Sequence, residues 1–117
     1  MAKKISNSDM RVHVQQRDVF TNHNSTVEAY WKADNRGDMR YVVYSYGDHF
    51  PMYIYDERLS QWFGNRDRYS VTTSRHQSQC MPVVRDDITW LETHWMQRLV
   101  GYGYDELVRQ RLLGLIA

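Results

Sequence analysis

One cysteine and two prolines in 117 residues set the first limits. A lone Cys80 cannot form an intramolecular disulfide, so a disulfide scaffold is excluded and a reducing compartment fits. Long apolar runs are missing too. Nothing approaches the roughly 20 consecutive apolar residues of a membrane span, and the opening "MAKKISNSDM" holds no apolar stretch of the kind a secretory signal needs. The expectation is a cytoplasmic protein with no membrane partner. "NST" at Asn24 matches a glycosylation acceptor in form only and reads as a polar strand entry. Charge of one sign is also scarce. A net charge of +1 argues against a general polyanion-binding coat, although it leaves room for a local basic patch.

Motifs of several enzyme classes are missing. There is no P-loop, dinucleotide fingerprint, nucleophile elbow or paired-carboxylate motif, and no cofactor is expected. His13, His23, His49, His76 and His94 are scattered, without the paired spacing that metal sites use, so no metal is expected. Cys80 has no partner in the sequence that would make it a nucleophile and reads as a small linker residue.

What the chain does contain is globular: 42% hydrophobic and 25% charged residues, in a length that suits one domain with a real core. Aromatics are plentiful, with nine Tyr and four Trp, and 12 of the 15 basic residues are Arg. Arg and aromatic side chains together favour binding surfaces, because both join a large contact area to a directed polar end.

Periodicity divides the chain. Residues 1–22 are polar and mixed, and read as a tail that docks at most locally. From Ser25 the period is two. "TVEAYWK" alternates Val27, Ala29 and Trp31 with polar partners, "DNRGD" turns at Gly37, and "MRYVVYSY" forms the next strand. "GDHF" bends the chain, Pro51 opens "MYIY", "QWF" follows, and "RYSVTTS" over 68–74 reads as a last strand. After Pro82 the period turns helical. Ile88, Leu91, Trp95 and Leu99 form one stripe, with Asp86 and Asp87 at the helix start. Gly101–Gly103 stops that helix, and a second helix turns Tyr104, Leu107, Val108, Leu112 and Leu115 inward. The predicted architecture is α+β: one domain over 23–117, with a five-stranded antiparallel meander over 23–78 covered by two C-terminal helices over 86–116.

Two long polar–aromatic runs, "YSYGDHFPMYIYD" and "RYSVTTSRHQSQ", resemble those of a family of small proteins of unknown function carried mostly by bacteriophages and plasmids. The resemblance spans about 27–82. It implies an origin on a mobile element and little about chemistry.

Two residue sets in these runs are candidates for function. His49 and His76, with Thr72 and Thr73, suit a polar interlock that satisfies buried backbone groups between the bend and the 69–79 segment. The same histidines, with Arg75, could instead supply the acid–base pair of a nuclease. Arg66, Arg68 and Arg75 interleave with Tyr53, Tyr55, Trp62 and Tyr69, and an exposed sheet face of this kind could stack bases and grip phosphates. Asp48, Asp56, Glu57 and Asp67 nearly balance the arginines, which points to a specific protein or nucleoprotein surface. The functional expectation is a non-enzymatic phage accessory protein that binds and inhibits a host protein or nucleoprotein, such as a restriction or CRISPR defence effector. A direct nucleic-acid-binding module is the alternative, and a histidine-dependent nuclease stands third. The sequence specifies no oligomeric state.

Overall fold

In chain order the elements are β1 (Lys3–Ile5), α1 (Met10–Gln15), β2 (Phe20–Asn22), β3 (Val27–Ala33), β4 (Met39–Ser45), β5 (Pro51–Asp56), β6 (Gln61–Asn65), α2 (Val71–Cys80), β7 (Thr89–Leu91), α3 (Thr93–Tyr102) and α4 (Tyr104–Leu112). This computed structural model describes residues 3–34, 36–83 and 88–112, except the side chains of Val108 and residues 110–112. The expected helix-starting Asp86 and Asp87, and the inward Val108, Leu112 and Leu115, lie outside what is described.

The fold is α+β, and among the described residues the strands form one sheet in the order β1-β2-β3-β4-β5-β6-β7. The expected alternation builds the middle of it. β3 to β6 are the four consecutive antiparallel strands read from the sequence, with Ala29 opposite Val43, Val42 opposite Ile54 and Ile54 opposite Phe63. The expected five-stranded, wholly antiparallel sheet is nevertheless corrected to a mixed sheet of seven strands. The outer pairs, β1 with β2 and β6 with β7, are parallel. A parallel pair cannot be closed by a tight turn and needs a crossover, usually helical. Here α1 lies between β1 and β2, and α2 between β6 and β7.

Three local expectations change for identifiable reasons. Residues 1–22 are not a polar tail: from Lys3 onward they supply two strands and a helix, and Ile5, Met10, Val14 and Phe20 are buried in the core. Each of these elements is too short for a periodic pattern to show. Second, 68–74 is not a strand, because α2 begins at Val71. Ser70 is its N-cap, with extended backbone and a side-chain oxygen that accepts from the Thr73 N–H at 3.1 Å. Third, the helix expected from 86 begins only at Thr93, because 89–91 joins the sheet edge. Gly64 makes that pairing feasible: a β-carbon there would sit 2.6 Å from the Trp90 ring.

The sheet is covered on both faces rather than one. Tyr41, Val43, Tyr53 and Trp62 face α1 and α2, together with Met10, Val14, Phe20 and Cys80. Val42, Tyr44, Ile54 and Phe63 face Met96 and Leu99 of α3 and Leu107 of α4. Alternate side chains of one strand thus enter two cores, as period two requires. The two crossover helices touch each other. Met10 and Cys80 sulfurs lie 3.8 Å apart, and Arg11 donates to the Ser78 carbonyl at 2.7 Å.

Arg40 is buried on the α3–α4 side. Its Nε donates to Asp56 Oδ2 at 3.0 Å, and its Nη1 lies 2.8 Å from Asp34 Oδ2 in a bent contact that is an ion pair rather than an aligned hydrogen bond. Burial alone would raise the Asp34 pKa. The Arg40 guanidinium and the N–H groups of Arg36 and Asp38 outweigh that and hold the carboxyl below its usual range.

Candidate functional site

The two runs singled out in the sequence meet where α2 lies on the sheet. The inward positions of α2 are Thr73, His76, Gln77 and Cys80, a helical stripe that is polar in three of its four places. Each polar member makes at least one hydrogen bond, with the Gln77 Oε1 left as a buried acceptor without a partner among the described residues. Ser45 Oγ, at the end of β4, lies 2.9 Å from His76 Nδ1 and 3.4 Å from Thr73 Oγ1. Tyr53 donates its hydroxyl proton to the Gln77 carbonyl at 2.7 Å. The Gln77 side-chain amide donates to the carbonyls of Asn65 and Asp67, both at 3.0 Å.

The same seam extends to α3. Asn65 Nδ2 donates to the Pro51 carbonyl at 2.9 Å and to Thr93 Oγ1 at 3.0 Å. Asp67 Oδ2 accepts from both the N–H and the hydroxyl of Thr93, each at 2.8 Å, and so caps α3 from outside that helix. Those two hydrogen bonds hold the Asp67 carboxyl below the usual range against the opposing effect of burial. His76 is 3% exposed. Burial first, and the nearby Arg75 charge second, push its pKa below the ordinary value, so folding favours the neutral ring.

Within the expected interlock, His76 and Thr73 make these contacts, whereas His49 and Thr72 do not. The His49 side chain is 90% exposed and lies 4.0 Å from Asp48, and its carbonyl accepts from Gln97. Thr72 faces solvent. No contact among the described residues joins the His49 and His76 rings, so the acid–base pair weighed for a nuclease is not assembled.

The expected Arg–aromatic sheet face is corrected more thoroughly. Tyr53 and Trp62 are core residues beneath the crossover helices. Tyr55 is half-buried, in tilted contact with Trp62 at 5.2 Å between ring centroids and covered by the Arg17 guanidinium at 4.4 Å. Burial pushes the Tyr53 hydroxyl pKa well up. The face is closed because 71–80 forms a helix over it and not a further strand beside it.

Tyr69, Arg66, Arg68 and Arg75 do remain at the surface. Arg66 is drawn towards Glu92 at 3.4 Å. Tyr69 is 81% exposed and Val71 80% exposed at the start of α2. Tyr46, 55% exposed, lies at the other side of the same bend as Phe50: its ring centroid is 5.6 Å from that of His76, and the Tyr69 ring centroid is 6.1 Å from that of Phe50. Sequence reasoning missed Ser45, Gln77, Asn65 and Thr93 as partners, and Tyr46 and Val71 as surface residues. The available signal was Ser70, a favoured N-cap residue type, followed by polar residues at the helical intervals of Thr73, His76 and Gln77.

Among the described residues, no group of three or more His, Cys, Asp or Glu side chains could hold a metal ion, and no helix is long and apolar enough to cross a membrane. Comparison with protein-family models, curated proteins and solved structures finds no match.

Proposed function

We propose that this chain is a non-enzymatic binding protein that docks onto a host nucleoprotein, such as a restriction or CRISPR defence effector, and inhibits it by occupying its surface. The observation that carries the binding reading is the display of Tyr69 and Val71, each about four-fifths exposed, between Arg68 and Arg75 at the start of α2. Exposed aromatic and Arg side chains held on a packed element are the residue types that dominate binding hot spots. The polar seam beneath them fixes α2 by at least three separate hydrogen-bonded partners on the sheet side, Ser45, Tyr53 and Asn65, so the surface is preorganised. The mobile-element origin rests on the resemblance of the two sequence runs, and the defence partner on that origin taken with a small single domain, no enzyme motif in the sequence and an Arg–Tyr surface.

The test is affinity capture from host cells by the full chain and by its Arg68→Glu/Arg75→Glu variant, with the partner identified and its activity assayed. Arg66 is left unchanged because reversing it would disturb Glu92. The expected result is a nucleoprotein captured and inhibited by the wild type, with both effects lost in a variant of unchanged circular dichroism. Equal capture and inhibition by both proteins would overturn the reading.

A further inference from the structure

The charges of this molecule are unevenly placed. In the segments that carry the crossover helices, Lys3, Lys4, Arg11 and Arg17 outnumber Asp9 and Asp18. From Arg68 to Val83 there is no acidic residue at all. Asp67, the nearest acid before that stretch, has one carboxylate oxygen committed to Thr93. The strands and turns over 23–65 carry the opposite balance, with more Asp and Glu than Lys and Arg. A net charge near zero therefore conceals a cationic cover on one side of the sheet.

Two tyrosines stand at the edge of that cover at some cost. Tyr46 has φ +56, a left-handed backbone that bulky L-residues rarely adopt. Its N–H is held by the Thr26 carbonyl at 2.7 Å, and Gly47 follows at φ +90. The strained residue nonetheless leaves its side chain at the surface, 55% exposed, instead of turning it into the core. Glycine or asparagine would be the cheaper choice here. Tyr69 is more exposed still. The pair shares one neighbourhood: Tyr46 lies against His76 of α2, Ser45 N–H bonds the Phe50 carbonyl at 3.2 Å, and Phe50 lies against Tyr69.

We infer that this edge binds single-stranded nucleic acid, with Tyr46 and Tyr69 as stacking platforms for unpaired bases and Arg68 and Arg75 as phosphate ligands. The inference builds on the α2 surface proposed above and names the component of the nucleoprotein that it touches. Stacking on exposed aromatic rings beside a cationic track is how strands are held without sequence preference. An acidic protein would satisfy the arginines equally well. It fits the rest of the patch less well, because beside Val71 the exposed α2 positions are Thr72, Arg75 and Ser78, and serine is depleted in protein interfaces. A duplex keeps its bases stacked and would leave both tyrosine rings unused.

The experiment is fluorescence anisotropy of the full chain with a labelled oligothymidine, a duplex of equal length, and heparin as a polyanion without bases. The single strand is expected to bind more tightly than the duplex and to weaken as salt rises. Tyr69→Ala and Tyr46→Gly are each expected to lose about tenfold in affinity, and Tyr69→Phe to retain it. Tyr46→Gly should do so while melting no lower than the wild type, since it relieves the left-handed strain. Duplex or heparin binding as tight as single-strand binding, unchanged affinity in both tyrosine variants, or no binding of the oligothymidine at low salt would each overturn the inference. Capture and inhibition of a host effector that survive nuclease treatment, alongside a failed oligothymidine assay, would remove this inference and leave the docking proposal standing.

Discussion

Ser45 and His76 are 31 residues apart in sequence and 2.9 Å apart in the fold, where they join the end of β4 to the middle of α2. Folding favours the neutral His76 ring, since burial and Arg75 lower its pKa beneath 6.5, its value when unfolded. Below 6.5 the unfolded chain takes up this proton more readily than the folded one. The His76 contribution therefore favours folding above that pH and is lost progressively as pH falls through 6.5 towards the lower folded value. Denaturant midpoints should fall on acidification in this window for the wild type, and by less for His76→Gln. Identical pH profiles would exclude the ring as the source. At neutral pH, Ser45→Ala should cost about 1–3 kcal/mol, because the imidazole keeps its burial and loses its partner.

The Arg40 cluster gives a second prediction. Asp34 and Asp56 are both buried against one guanidinium, so Arg40→Met leaves two carboxylates without a counter-charge and should cost about 3–5 kcal/mol. Gly103 packs over the same group: at φ +85, a β-carbon would sit 2.5 Å from Arg40 Nη2. Gly103→Ala should destabilise on both counts, steric and conformational. In an Arg40→Met background only the conformational part should remain, so the two substitutions should be measurably non-additive in a double-mutant cycle. Strict additivity would mean that the α3–α4 junction does not rest on Arg40.

The extent to which this fold is legible in sequence follows from where its periodicity is apolar. β3 alternates Val27, Ala29 and Trp31 with polar or less buried partners, and β4 and β5 are short runs of Val, Ile, Met and Tyr bounded by turns, so these strands are readable. α2 also has a clear inward stripe, but it is Thr73, His76, Gln77 and Cys80, so a search for apolar spacing finds Tyr69 and Val71 at period two and reads a strand. β1, β2 and β7 have three residues each, too few for any period to show. The surface set was partly legible. Arg68, Tyr69 and Arg75 could be picked from composition. Their separation from Tyr53 and Trp62 could not, because it depends on whether the segment lies beside the sheet or over it.

The N-terminal segment provides a third prediction. Met10 and Val14 of α1 are fully buried against the sheet. Met10→Ala should cost about 2–5 kcal/mol, the range for truncating a buried side chain where the surroundings relax only partly. A detachable tail would show almost no change. Equilibrium urea denaturation distinguishes the two, and an unchanged midpoint would mean that α1 contributes nothing to the folded core.

Cys80 offers a probe of the same contact. Its thiol is buried under α1, touching the Met10 sulfur, and burial pushes its pKa up to about 12. The thiolate is the reactive species, so at neutral pH the folded protein should react with a thiol reagent only when α1 and α2 separate or the chain unfolds. Labelling should be slow in buffer and complete in denaturant. Because the reactive form is an opened one, the labelling rate should rise in Met10→Ala by the factor that matches its loss of stability, provided reclosing outpaces the reagent. Tyr69→Ala, which alters only the exposed edge, should leave the rate unchanged. Rapid labelling of the native wild type would show that the two crossover helices part without global unfolding. The contact between them would then be a local opening unit, and stability and thiol reactivity would vary independently across the variants.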